Sequence, residues 1–115
     1  MGIALQILDG TYGRSAADVP ARLERASSGG WVLVGSAETR SDGRIADLCD
    51  KALERGLYRL ALDSGSYFAS LGVSSAYPEI ILVFRVRDES GNCRIDISLS
   101  PYSYSAHFVT ASSLE

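Results

Sequence analysis

His107 is the only histidine in this 115-residue chain. Histidine is the side chain that ordinarily gains and loses a proton near neutrality, so a lone histidine is the first candidate for general acid/base work. It sits in an alternating stretch: Ser105, His107 and Val109 share one parity, and Ala106, Phe108 and Thr110 share the other. A few residues earlier the alternation is stricter. Cys93, Ile95, Ile97 and Leu99 fall on one parity, and Arg94, Asp96, Ser98 and Ser100 on the other. Successive side chains of a strand point to opposite faces, so both stretches read as strands with one polar face. A slip of one residue would bury Arg94 and Asp96, which assigns the apolar parity to the core. Near the N-terminus, Leu5 and Ile7 alternate with Ala4, Gln6 and Leu8 in the same way.

These polar faces carry groups of distinct chemistry. His107 suits a general acid/base or a ligand donor. Asp96, two residues from Arg94, suits a carboxylate that orients an imidazole and stabilises its cation. Arg94 and Arg44 present guanidinium forks for anionic oxygens. Gln6 offers both a donor and an acceptor. Leu8, Ser98, Ser105, Val109 and Thr110 complete the expected ligand-binding lining. On pattern alone, the same faces read equally as the wet side of a sandwich, and Arg94 with Asp96 as a surface salt bridge. Cys93 falls on the core parity and reads as a small hydrophobe, Cys49 as an incidental loop residue, and Tyr102 and Tyr104 as structural.

The elements that would hold these residues are short. Strands are expected at residues 3–8, 19–25, 31–39, 44–45, 56–62, 79–87, 93–99 and 105–110, separated by turn signals such as Asp9-Gly10, Ser27-Ser28-Gly29-Gly30 and Ser41-Asp42-Gly43. Pro20 marks an edge or a strand start. Residues 47–55 are too poorly periodic for a helix and read as loop, and residues 88–92 read as a hairpin loop. One helix is expected at 63–72, with an Asp or Ser start, Tyr67, Phe68 and Leu71 at helical spacing and Gly72 after its end. About eight regularly spaced short strands with one helix define an all-β sandwich.

Size and charge narrow the functional classes. The length suits one domain, residues 1–113, with Leu114-Glu115 read as a cloning scar. Hydrophobic residues at 46% and charged residues at 22% are ordinary for a globular domain. A net charge of −3 without a Lys/Arg block argues against nucleic acid or an anionic membrane as partner. No apolar run reaches the roughly 18 residues of a membrane span, and the N-terminus has no signal-peptide pattern. Two cysteines without metal or redox spacing fit a reducing, cytoplasmic setting, and with one histidine they predict no metal site and no cofactor.

Several motifs, in order, resemble the transthyretin / 5-hydroxyisourate hydrolase family. They are Ile7-Leu8-Asp9, Val19-Pro20-Ala21-Arg22-Leu23, Ser41-Asp42-Gly43-Arg44, Gly56 to Leu60 followed by Asp63 to Phe68, Tyr77-Pro78-Glu79, and Leu99-Ser100-Pro101-Tyr102-Ser103-Tyr104-Ser105. The resemblance covers residues 3–110. It implies a transthyretin-like β-sandwich of two four-stranded sheets with one short helix. It also implies a homotetramer, a dimer of dimers, whose first, penultimate and last strands line a central channel. In that architecture the polar face becomes the wall of a ligand site.

The hydrolases of this family use two histidines, an arginine and a C-terminal Tyr-Arg-Gly-Ser. By position the arginine is retained as Arg44, Gln6 and Arg94 stand for the histidines, and His107-Phe108-Val109-Thr110 replaces the tetrad. Glutamine takes no proton at neutral pH, and arginine is a poor general base, so the usual hydrolytic route is not expected. The hormone-carrier branch has small apolar residues where this chain has Asp96 and Ser98. The leading expectation is a divergent enzyme acting on a small polar or heterocyclic metabolite by hydrolysis, ring opening or cyclisation. In it His107 moves the proton, Asp96 supports it, and Arg94 and Arg44 hold anionic oxygens. A non-catalytic small-molecule carrier and a 5-hydroxyisourate hydrolase with a rearranged site are the alternatives.

Overall fold

The computed structural model describes residues 2–49, 53–87 and 92–110, Thr110 by its strand position only. The expected scar at 114–115 and most of the expected hairpin loop at 88–92 lie outside these residues. Among the described residues nine strands and one helix follow in chain order: β1 (Ile3–Asp9), β2 (Arg14–Ser15), β3 (Pro20–Ser27), β4 (Gly30–Glu38), β5 (Arg44–Ile45), β6 (Gly56–Leu62), α1 (Ser64–Ser70), β7 (Ile80–Val86), β8 (Cys93–Ser100) and β9 (Ser103–Thr110).

The strands form two facing sheets. One runs β2-β1-β8-β9, with β5 also on β1; the other runs β4-β3-β6-β7. β2 and β5 share one edge of β1, opposite Leu8–Asp9 and Leu5–Gln6 respectively, so this five-stranded sheet is four strands wide. β1 and β8 are parallel and every other pair is antiparallel. Parity decides the core. Ile3, Leu5 and Ile7 of β1 and Ile95, Ile97 and Leu99 of β8 meet Leu23, Leu60 and Leu62 of the other sheet, each at most 2% exposed. Full burial of such side chains stabilises by about 1.5–3 kcal/mol each, which opposes any slip of register.

The helix forms where local chemistry supports it. The Asp63 carboxylate accepts from the Ser66 amide at 3.1 Å, and Gly72, at φ +74°, follows the helix end. Its inner side buries Tyr67 and Phe68. Elsewhere the chain makes one very close approach. A Cβ on Gly35 would lie 1.6 Å from the Leu48 carbonyl oxygen, so the segment after β5 passes over β4 only because that position has no side chain.

Four details differ from the sequence expectations. β2 has only two residues and no periodicity to read. β3 starts at Pro20 and runs to Ser27; it is an interior strand, and proline is tolerated as its first residue. β9 begins at Ser103 because Ser100 and Ser103 already pair across the tight Pro101-Tyr102 turn. Cys49 is a core residue, 8% exposed, not a loop bystander.

The buried tyrosines give the fold a pH dependence. Burial pushes the hydroxyls of Tyr58 and Tyr67 above the ordinary tyrosine value, with the Asp9 carboxylate beside Tyr67 adding to the effect. Burial raises the Cys93 thiol as well. The folded chain therefore keeps protons that the unfolded chain releases at an ordinary tyrosine pKa of about 10. This stabilisation is complete below about pH 10 and is lost as pH rises through the folded values. Urea midpoints should fall as pH rises above about 10, and the fall should be shallower in Tyr67→Phe; equal slopes would refute the assignment.

Candidate functional site

The sheet registers bring the sequence-predicted polar residues together. Gln6 of β1 pairs with Arg44 of β5 on one side and Asp96 of β8 on the other, and Asp96 pairs with His107 of β9. Arg44, Gln6, Asp96 and His107 thus form one cross-strand row. Three strand spacings of about 4.8 Å give it a length of about 14 Å. Flanking rows add Leu8–Ser98–Ser105 on one side and Ala4–Arg94–Val109 on the other.

Beside the row lies an open hollow of about 220 Å³. It is lined by Gln6 and Leu8, by Asp96 to Ser98, and by Ser105 and His107. Six of the expected site residues therefore share one concavity. Arg94, Arg44 and Val109 lie outside its lining, Arg94 and Val109 in the next row and Arg44 beyond Gln6. Thr110 departs from expectation. It pairs with Cys93, on the parity of the core, so its register position is not on the row. The expected alternation of Ser105, His107 and Val109 with Ala106, Phe108 and Thr110 already contained this.

Two of the chemical groups, Arg44 and Asp96, have an identifiable support. Arg44 is set by the turn before it. Gly43 adopts φ +76°, and a Cβ there would lie 2.4 Å from the Ile7 carbonyl oxygen, so glycine lets the turn close against β1. The Asp42 carboxylate accepts from the Arg44 amide at 3.0 Å, and the Gly43 carbonyl accepts from the Ile7 amide at 2.8 Å. Asp96 is held by Arg94 in a two-pronged pair within one strand, Nε to Oδ1 at 2.9 Å and Nη2 to Oδ2 at 3.2 Å. The side chains of this pair are 53% and 36% exposed, so it contributes at most about 1 kcal/mol. The expected support of His107 by Asp96 is therefore not made here: the carboxylate faces Arg94, although the register sets it opposite the imidazole. Exchanging one partner for the other costs little.

At the end of β1 the chain is fixed more firmly. Asp9 is fully buried, and its Oδ1 accepts from the amides of Thr11 and Tyr12 at 2.9 and 3.0 Å. Its Oδ2 accepts from the Tyr67 hydroxyl at 2.7 Å, which joins the site's central strand to α1. The sequence reading took Asp9 only as a turn residue. Of the two signature tyrosines expected to be structural, Tyr104 packs edge-on against Tyr77, with ring centres 5.2 Å apart, whereas Tyr102 is 71% exposed.

This sandwich, with a single helix and a polar row on its β1-β8-β9 face, defines a transthyretin-like class of domain. The HIUase/Transthyretin family model matches residues 3–107, and the chain belongs to that family. A 5-hydroxyisourate hydrolase of Salmonella dublin is 32% identical over 106 residues, 91% of this chain and 78% of that protein. The probable 5-hydroxyisourate hydrolase R09H10.3 of Caenorhabditis elegans is 30% identical over the same shares. Among solved structures, transthyretin from Sparus aurata superposes with a TM-score of 0.90 at 25% identity, covering 96% of this chain and 97% of that one. Among the described residues no helix is long and apolar enough to cross a membrane.

Proposed function

We propose that this chain is a divergent enzyme of the HIUase/Transthyretin family that acts on a small polar or heterocyclic molecule by acid/base chemistry. The observation that carries the reading is the row Arg44–Gln6–Asp96–His107 beside its hollow. It combines a proton carrier, a carboxylate in register with it, an amide and a guanidinium on one face. In this reading His107 takes a proton from water or from a ring N–H or O–H. An anionic oxygen of the substrate draws Arg94 away, and the freed Asp96 turns to the imidazolium that forms. Arg44 holds a second anionic oxygen. Gln6 and Arg94 stand where the hydrolase pattern has histidines, so the proton route differs from that of the relatives.

The site would lie between subunits of a homotetramer, in a cytoplasmic setting. Two features support assembly. β7 and β9 are both sheet edges. A seam of aromatic side chains runs between them, with Phe84 and Phe108 ring centres 5.3 Å apart and Phe108 and Tyr104 still 41% and 39% exposed. Unpaired edges of this kind are templates for strand pairing with another copy. Light scattering should report four copies; a monomer would remove the shared site.

The chemistry is tested with freshly made 5-hydroxyisourate and a panel of cyclic amides, imides and lactones, each followed by absorbance and mass spectrometry with wild type and His107→Ala. A changed molecule in wild type that is not produced by His107→Ala supports the proposal. Equal turnover by both proteins overturns the role of His107. Tight binding by equilibrium dialysis, with every compound recovered intact, overturns catalysis in favour of a carrier.

A further inference from the structure

The pairing of the chain's arginines points to a second site, on the other sheet. Arg22, Arg25, Arg40, Arg59 and Arg94 each meet a carboxylate, and Arg14 lies over the Tyr12 ring. Among the described residues this leaves Arg44, Arg55, Arg85 and Arg87 with neither a carboxylate nor an aromatic partner. Arg44 belongs to the row above. The other three line one hollow of about 310 Å³ at the end of the β6–β7 pair, together with Gly56, Leu57 and Val86.

Register explains the convergence. Leu57 pairs with Arg85, and the ladder ends at Gly56 opposite Val86, so Arg55 and Arg87 each stand one residue beyond its last pair. Leu57 and Arg85, as cross-strand partners, project to the same face of the sheet. Like charges placed opposite one another on a sheet destabilise it. Among the described residues the neighbouring acid does not relieve this: Glu54 is taken by Arg25 Nη1 at 3.3 Å, and Arg25 Nη2 donates to the Arg55 carbonyl at 3.1 Å. Three convergent cations in a chain of net charge −3 call for an anion.

We infer that this hollow binds a phosphate-bearing small molecule. A carboxylate offers two oxygens and one charge, enough for one guanidinium fork. A phosphate monoester offers three oxygens and nearly two charges, which matches forks arriving from two strands. The hollow is far larger than a phosphate group, and Leu57, half-buried in its lining, provides apolar surface for an organic body attached to it. The site rests on residues separate from the polar row, so it stands or falls independently of the catalytic reading.

Calorimetric titration of the full chain at constant ionic strength tests the inference with inorganic phosphate, phenyl phosphate and benzoate. Phenyl phosphate should bind more tightly than phosphate, and both more tightly than benzoate. Arg85→Gln/Arg87→Gln should weaken phenyl phosphate at least tenfold, whereas Arg44→Gln should leave its affinity unchanged. Relief of repulsion predicts that the double variant, free of anion, melts no lower than wild type; if it does not fold, Arg55→Gln serves in its place. Equal affinity in wild type and the double variant overturns the site. Benzoate binding as tightly as phenyl phosphate overturns the phosphate class, and a loss that follows Arg44→Gln instead moves the anion to the first site.

Discussion

Replacing His107 with alanine should lower turnover by about 10²–10⁴-fold, the usual contribution of a positioned general acid/base, and leave stability almost unchanged. The two halves of this expectation rest on different observations. The activity loss rests on the row: among the described residues, His107 is the only group there suited to shuttle a proton near neutrality. The stability half rests on exposure. His107 is a solvent-facing residue of β9, and substitutions at such positions stay within about 0.5 kcal/mol. Steady-state kinetics on whichever panel compound is turned over, beside a thermal melt, measures both. Unchanged turnover would end the proposed chemistry, whereas a collapsed melt would make His107 structural. Asp96→Asn should act through the imidazole. It should lower kcat more than it raises KM, because the amide cannot supply the charged support that the freed carboxylate gives the ring in the proposed step.

The sequence carried most of the fold and the polar faces on which the candidate site residues stand, for a physical reason visible in β8. Cys93, Ile95, Ile97 and Leu99 alternate without exception with Arg94, Asp96, Ser98 and Ser100, and strict alternation specifies which face is buried. It does not specify which residues of other strands lie opposite. The pairing of Gln6 with Asp96 joins chain positions 90 residues apart, and its parallel sense has no local signal. The row was therefore legible as a set of residues and illegible as a geometry. Arg94 illustrates the difference: its spacing from Asp96 allowed a salt bridge, but only the structure gives the carboxylate to arginine instead of histidine. The arginine hollow went unread for the same reason. Arg85 and Arg87 look like ordinary solvated charges until the β6–β7 register brings Arg55 beside them. β2 was missed because two residues carry no period at all.

Asp9→Ala should be among the most destabilising single changes in the chain, by about 3–5 kcal/mol, in the range measured when one member of a buried charged network is removed. The carboxylate is fully buried and accepts three hydrogen bonds, two from backbone amides and one from Tyr67. Its removal leaves those donors buried or half-buried without their acceptor. Each hydrogen bond to a charged group is worth about 1.5–3 kcal/mol, so three of them reach or exceed the upper part of the estimate, which allows for water and relaxation at the partly exposed turn. For a domain of this size the loss corresponds to a fall in Tm on the order of 10–20 °C. Tyr67→Phe removes one donor and leaves the other two bonds in place, so it should cost only about 1–2 kcal/mol. A double-mutant cycle isolates the coupling between β1 and α1: once Asp9 is alanine, Tyr67→Phe should be nearly neutral. The consequence reaches the polar row, because Asp9 fixes the end of the strand that carries Gln6 and Leu8. A melt of Asp9→Ala within about 1 kcal/mol of wild type, the size of an ordinary surface effect, would show that β1 is held by its sheet partners alone.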